Sequence, residues 1–175
     1  MTTEEPSIEA PASAVETNKE KALKLTRKYV LWSMGGGLIP VAFLDIAAII
    51  TAQIKMLRAM SALYGVEFKE NRAKSIVTSL IGSIGLVPLG TGILFSVMKM
   101  IPVVGSLAAT VALPISAGAI TYATGRIFAN HFESGGTLLT FNVEKAKAAY
   151  RKMYEEGKDF AASAKDAEAV PAEAN

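Results

Sequence analysis

His131 and Asp45 are the side chains of this 175-residue chain from which chemistry could be built. His131 stands in an Asn-His-Phe sequence, with no second histidine and no cysteine anywhere to share a metal ion. Zinc takes four N, S or O ligands, so His131 reads as an interface or surface residue rather than a ligand. Asp45 is the one acid in the apolar run VAFLDIAAIITA. A carboxylate is costly there, and within a membrane it would mark a functional position, as a buried partner of Lys99 or Arg126 or as a proton-responsive switch. Gln53 follows eight residues later, two turns along the same helix face. The preferred reading is therefore a polar clamp, Asp45 with Gln53, that fixes helix register. The Gly35-Gly36-Gly37 run lacks both the Lys-Ser/Thr and the preceding strand of a phosphate loop. No serine has a nucleophile-elbow context. These patterns supply no catalytic residue, no metal site and no cofactor, and they imply a protein that is not an enzyme.

Architecture carries more information. Ser75–Gly125 contains a single charged side chain, Lys99, which divides it into 75–98 and 100–125. Each half exceeds the roughly 20 apolar residues that cross a bilayer core of about 30 Å, and neither keeps the polar stripe of a soluble helix. The expectation is a helical membrane hairpin, 75–125, turning at Lys99, which would snorkel to the far headgroups. Small residues recur at four-residue spacing: Ser75, Ser79 and Ser83 on the first arm, Gly105 with Ala109 and then Ala117, Thr121 and Gly125 on the second. Such ladders permit close helix contacts, within the hairpin or between copies in a homo-oligomer. Pro88, Pro102 and Pro114 suggest broken helices, which makes a re-entrant geometry the alternative to a simple hairpin.

The flanks are amphipathic. Residues 1–18 are rich in Glu, Ala, Pro, Ser and Thr and read as a disordered leader. Lys19–Met34 sets Lys21, Lys24, Arg27 and Lys28 among Leu23, Tyr29, Val30 and Leu31, a helix that either meets anionic headgroups or packs on the domain. Val41–Tyr64 reads as one helix stopped by Gly65. Its apolar part, 38–54, is short, carries Asp45 and has basic flanks on both sides, so it is expected against the hairpin rather than across the membrane. Thr140–Phe160 is a last amphipathic helix capped by Asn142, with Lys145, Arg151 and Lys152 as a lipid or partner surface, and 161–175 reads as a disordered tail. Lys69, Arg72, Lys74 and Arg126 flank the hairpin on its outer sides, which places both termini in the cytoplasm. The net charge of +2, with no basic patch interleaved with aromatics, argues against nucleic acid as a partner.

Two blocks carry a resemblance. One is IPVAFLDIAAIITAQIKMLRAMSALYG, with Ile39-Pro40, Asp45, Gln53, Met56-Leu57 and Tyr64-Gly65; the other is Ile101-Pro102 and Gly105 followed by Thr121-Tyr122-Ala123 and Gly125-Arg126. With this spacing the chain resembles the YcjF-like family of uncharacterised bacterial membrane proteins, over about residues 37–136. That domain also occurs C-terminal to some Era- or Ras-like GTPases. The resemblance implies a helical domain of the bacterial inner membrane associated with a GTPase, and it supplies no catalytic residue. The chain itself has no GxxxxGK[ST] loop, so nucleotide chemistry would belong to a partner.

The expectation is thus an all-α, non-enzymatic, multi-pass protein with one helical domain, 19–160, acting in the bilayer as an anchor, adaptor or assembly element. A self-assembling pore or membrane-remodelling protein is one alternative. A soluble bundle that buries an insertable hairpin beneath its three amphipathic helices is another.

Overall fold

The computed structural model describes residues 16–35, 46–84 and 106–168. These residues are all-α: α1 (Asn18–Gly35), α2 (Ile46–Tyr64), α3 (Glu70–Ser83), α4 (Ser106–Glu133) and α5 (Val143–Glu168), with no strand among them.

Local chemistry sets the helix ends. At the start of α1, Thr17 and Glu20 form a reciprocal capping box. The Thr17 N–H donates to Glu20 Oε2 (2.8 Å) and the Glu20 N–H donates to Thr17 Oγ1 (3.2 Å). α2 ends where Gly65 adopts φ +66°, and the Val66 N–H reaches back to the Ser61 carbonyl (2.8 Å). α4 ends the same way, with Gly135 at φ +76° and the Gly136 N–H on the His131 carbonyl (2.9 Å). Only glycine takes that backbone conformation at little cost. Asn142 caps α5 by accepting from the Lys145 N–H at 3.0 Å, as its sequence position suggested.

The five helices run up and down around α4. Gly125 lies on Thr26, and Gly118 on Met34, so α1 is antiparallel to α4. Gln53 meets Thr124 and Tyr64 meets Glu133, so α2 is parallel to it. Phe141 stacks on Phe128 (4.6 Å), Tyr150 approaches Thr124 and Gly157 abuts Ala119, so α5 returns antiparallel. α3 packs on α2 and α5. Arg72 near its start donates to the Leu138 and Phe141 carbonyls, and the Ser83 carbonyl at its end accepts from Arg151. The core draws Met56, Leu57 and Met60 from α2, Ile76, Val77, Leu80 and Ile81 from α3, Phe128 and Phe132 from α4 and Tyr150 from α5.

The differences from the sequence expectation have physical causes. α3 runs from Glu70 to Ser83, and its buried residues Ala73, Ile76, Val77, Leu80 and Ile81 follow helical spacing. The beginning of the expected first arm is therefore an amphipathic bundle helix. α5 continues past Phe160 to Glu168, through Ala-rich sequence of high helix propensity, and Ala161 is fully buried beside Val30 and Met34. Pro114 sits inside α4 rather than ending it.

A bundle with two unlike ends and a polar core

The up-and-down order segregates the connections. Residues 65–69 and 134–142 join helices at one end, beside Thr17. Gly35, Ile46, Ile84 and Ser106 all point to the other end, and from there the chain enters 36–45 and 85–105. Those two segments carry two charged side chains between them, Asp45 and Lys99. Trp32, the sole tryptophan of the chain, lies one turn before Gly35 and is 53% exposed. Tyr29 meets it edge-on at 6.2 Å and Lys55 Nζ lies 5.6 Å from its ring centroid. A half-exposed Trp beside Tyr and Lys is the composition favoured at membrane–water interfaces. Among the described residues no helix is long and apolar enough to cross a membrane.

The opposite end is tied by polar contacts. Tyr64 donates to Glu133 Oε2 at 2.9 Å, and its phenol is pushed up to about 12, first by desolvation and then by that carboxylate. His131 Nε2 lies 2.9 Å from the Thr137 carbonyl, which can only accept, so this nitrogen carries the proton. The ring packs edge-on against Phe141 at 5.0 Å and closely against Gly136. The geometry assigns His131 to holding the α4–α5 turn.

Between the ends lies a buried polar cluster. Gln53, Thr124 and Tyr150 are each fully enclosed. Thr124 Oγ1 lies 2.7 Å from Gln53 Oε1, 3.0 Å from the Ile120 carbonyl and 3.3 Å from the Tyr150 hydroxyl. One hydroxyl proton serves one acceptor at a time, and Tyr150 can donate to the lone pair of Thr124. Burial raises the Tyr150 phenol well above its usual range, with the Thr124 bond opposing. Gln53 Nε2 is enclosed without a partner among the described residues.

The residues singled out by sequence divide as follows. Gln53 is in the core, held by Thr124, which in turn meets Tyr150; Asp45, its expected companion, lies outside the described residues. So do Gly105 and the expected turn at Lys99, and the side chain of Ala109 is not described. Ser75 is exposed and Ser79 and Ser83 half-buried, so the serine ladder is not the face that α3 packs. The second ladder is a packing face: Ala117 is 1% exposed, Thr121 and Gly125 are buried, and Gly125 meets Thr26 of α1. α1 and α5, rather than the serine ladder, cover this part of α4. Lys21, Lys24, Arg27 and Lys28 on α1 and Lys145, Arg151 and Lys152 on α5 are exposed. Lys24 nevertheless pairs with Glu16 (2.8 Å), and Arg151 Nε is occupied by the Ser83 carbonyl at 3.0 Å. Sequence reasoning missed Thr17, Thr124, Tyr64 and Arg72 as tethers. The Thr-x-x-Glu spacing from Thr17 was a readable signal for the first; the others depend on contacts made far along the chain.

Residues 9–159 match the family described as domain of unknown function DUF697. The chain belongs to this family. It is also 36% identical over 144 residues to magnetosome membrane protein 22 of Magnetospirillum gryphiswaldense, an alignment that covers 82% of this chain and 74% of that protein. No solved structure matches the chain.

Proposed function

We propose that this protein is a non-enzymatic membrane-associated scaffold whose helical bundle stands outside the bilayer and whose apolar end dips into one leaflet. The observation that carries the reading is the common end from which 36–45 and 85–105 depart, with Trp32 exposed beside it. The relative named as a magnetosome membrane protein supports association with a membrane. Length favours a re-entrant dip over two crossings. Met34 lies level with Gly118, so twelve residues of α4, 106–117, extend beyond that level. Together with 85–105 they offer about 16 residues per arm, or about 24 Å as helix, short of a core of about 30 Å. In a bacterial cell this would be the inner membrane entered from the cytoplasmic face, where the basic face of α1 meets anionic lipid. A Ras-like GTPase is the partner class that the family resemblance implies, with the exposed helices α1 and α5 as the surfaces offered to it.

One observation favours a second reading. α1, α2 and α5 already jacket α4, so the bundle could fold in water and insert its apolar end only on contact with a membrane. Fractionation with an alkaline carbonate wash, followed by single-cysteine labelling with an impermeant maleimide, tests both. The expected result is carbonate-resistant protein, with Lys28→Cys and Leu139→Cys labelled from one side and Lys99→Cys protected from both. Labelling of Lys99→Cys from the opposite side would restore the crossing hairpin. Recovery in the soluble fraction would leave the trigger-inserted bundle.

A further inference from the structure

Away from the apolar end, a cleft of about 290 Å³ opens between α1, α4 and α5, lined among others by Leu23, Lys24, Arg27, Tyr122, Arg126 and Phe160. Its position follows from a close contact between α1 and α4. A Cβ on Gly125 would stand 2.3 Å from Thr26 Cγ2, so the Thr26 side chain of α1 lies directly on the α4 backbone there. The next residue on each helix is an arginine, and both line the cleft.

Charge in the cleft is unbalanced. Lys24 is neutralised by Glu16 at 2.8 Å, but neither Arg27 nor Arg126 has a carboxylate partner among the described residues. Arg126 Nε is enclosed with no hydrogen-bond acceptor among the described residues, and its guanidinium carbon lies 5.9 Å from the Tyr122 ring centroid. A guanidinium nitrogen withdrawn from water without an acceptor is costly unless an anion supplies one. Arginine forks suit phosphate oxygens in particular. Tyr122 and Phe160, 5.1 Å apart, form an apolar wall. On α4 and α5 they lie nearer the end from which the apolar segments depart than Arg126 does.

We infer that this cleft binds one acidic phospholipid, with its headgroup phosphate between Arg27 and Arg126 and its first acyl methylenes against Tyr122 and Phe160. The polarity agrees with the proposed membrane association, on which the inference rests: phosphate away from the apolar end, chain toward it. The volume suits a headgroup and a few methylenes, being at the lower limit of ordinary ligand pockets, roughly 300 Å³. Binding would supply the acceptor that Arg126 Nε lacks.

The test uses full-length protein in mild detergent, read by native mass spectrometry. It is titrated with short-chain phosphatidylglycerol, short-chain phosphatidylcholine and inorganic phosphate. Wild type should retain phosphatidylglycerol in preference to phosphatidylcholine. R27Q/R126Q should weaken that retention by about tenfold or more, the loss expected for charge-assisted hydrogen bonds. K21Q/K28Q removes the same charge from exposed α1 positions that do not line the cleft, and it should leave retention within about twofold. R27Q alone, at an exposed position, gives the same direction without risk to the fold. Equal losses in both double variants, equal retention of the two lipids, or inorganic phosphate binding as tightly as the lipid would each overturn the site. Lipid selectivity without carbonate-resistant association would sink the membrane reading alone; association without selectivity would sink this one alone.

Discussion

Gly125→Ala separates a glycine needed for packing from one merely tolerated in a helix. On an exposed helix face the substitution should stabilise by about 1 kcal/mol, since glycine is a poor helix former. Here the new Cβ would lie 2.3 Å from Thr26 Cγ2, 2.4 Å from Oγ1 and 2.8 Å from Cβ. Rotating Thr26 cannot relieve the last contact, because its Cβ is fixed to the α1 backbone, and its hydroxyl is committed to the Ala22 carbonyl at 2.8 Å. The helices must separate, at the upper end of the roughly 1–3 kcal/mol that overpacking costs. The net effect is about 2 kcal/mol of destabilisation. For a chain of this size that lowers Tm by about 4–8 °C, at about 2–4 °C per kcal/mol. Thermal unfolding followed by circular dichroism at 222 nm in mild detergent would measure it. Thr26→Ala in the same chain removes Cγ2 and Oγ1 and should recover part of the loss. A rise in Tm for Gly125→Ala would refute the close α1–α4 crossing, and with it the placement of Arg27 beside Arg126.

Four further outcomes are expected. Thr17→Ala should destabilise α1 by about 1 kcal/mol, as loss of a cap does. Because the Thr17 bonds hold the Glu20 carboxyl below its usual range, the wild-type box contributes above about pH 4 and is lost as pH falls through the depressed value; circular dichroism of the variant should lack that acid step. Gln53→Leu removes an amide nitrogen with no partner among the described residues while Thr124 keeps the Ile120 carbonyl, so stability should be unchanged or up to about 1–2 kcal/mol higher; a clear loss in urea unfolding would assign that nitrogen a partner. Tyr64 and Tyr150 both have raised phenols, so folding stability is complete below about pH 10 and declines as the unfolded chain ionises first; absorbance at 295 nm should show Tyr64 titrating near 12 only in the folded protein. Replacing 85–105 by a short Gly/Ser link should leave the cooperative unfolding of the bundle intact while abolishing carbonate-resistant association.

Much of the fold was legible because amphipathic helices state their period. Lys19–Met34 and Thr140–Phe160 were readable from polar and apolar faces, and Gly65 and Asn142 from their capping chemistry. The hairpin was overextended at both ends, for two different reasons. On the first arm, the stripe Ala73, Ile76, Val77, Leu80 and Ile81 was hidden because its polar face is partly Ser and Thr, which barely lower a hydropathy average. On the second arm, α4 is enclosed by other helices along Ala117–Ala129, and a helix buried on nearly every side has the same composition as one in lipid. Periodicity cannot tell those two solvents apart; only the partners can, and Thr26, Gln53, Tyr150 and Gly157 lie far away in sequence. The Arg27–Arg126 pair was hidden for the same reason, since the two line one cleft only because α1 packs on α4 at Gly125.

The bundle is self-sufficient in a way that bears on function. Its apolar core is closed by contributions from α2 through α5 and Ala22 of α1, so lipid contact is not needed to bury it. Its surface keeps the basic face of α1 and the mixed charges of α5, where Lys147, Lys158 and Lys152 pair locally with Glu144, Glu155 and Glu156. The hydrophobic excess of the chain is instead concentrated in 36–45 and 85–105, which leave from a single end. Immersing that end therefore requires no rearrangement of the core and no desolvation of the paired lysines. Immersing the bundle itself would require both, at several kcal/mol for each ion stripped of water. The distribution of charge, more than the total hydrophobicity, is what supports the proposed one-sided insertion.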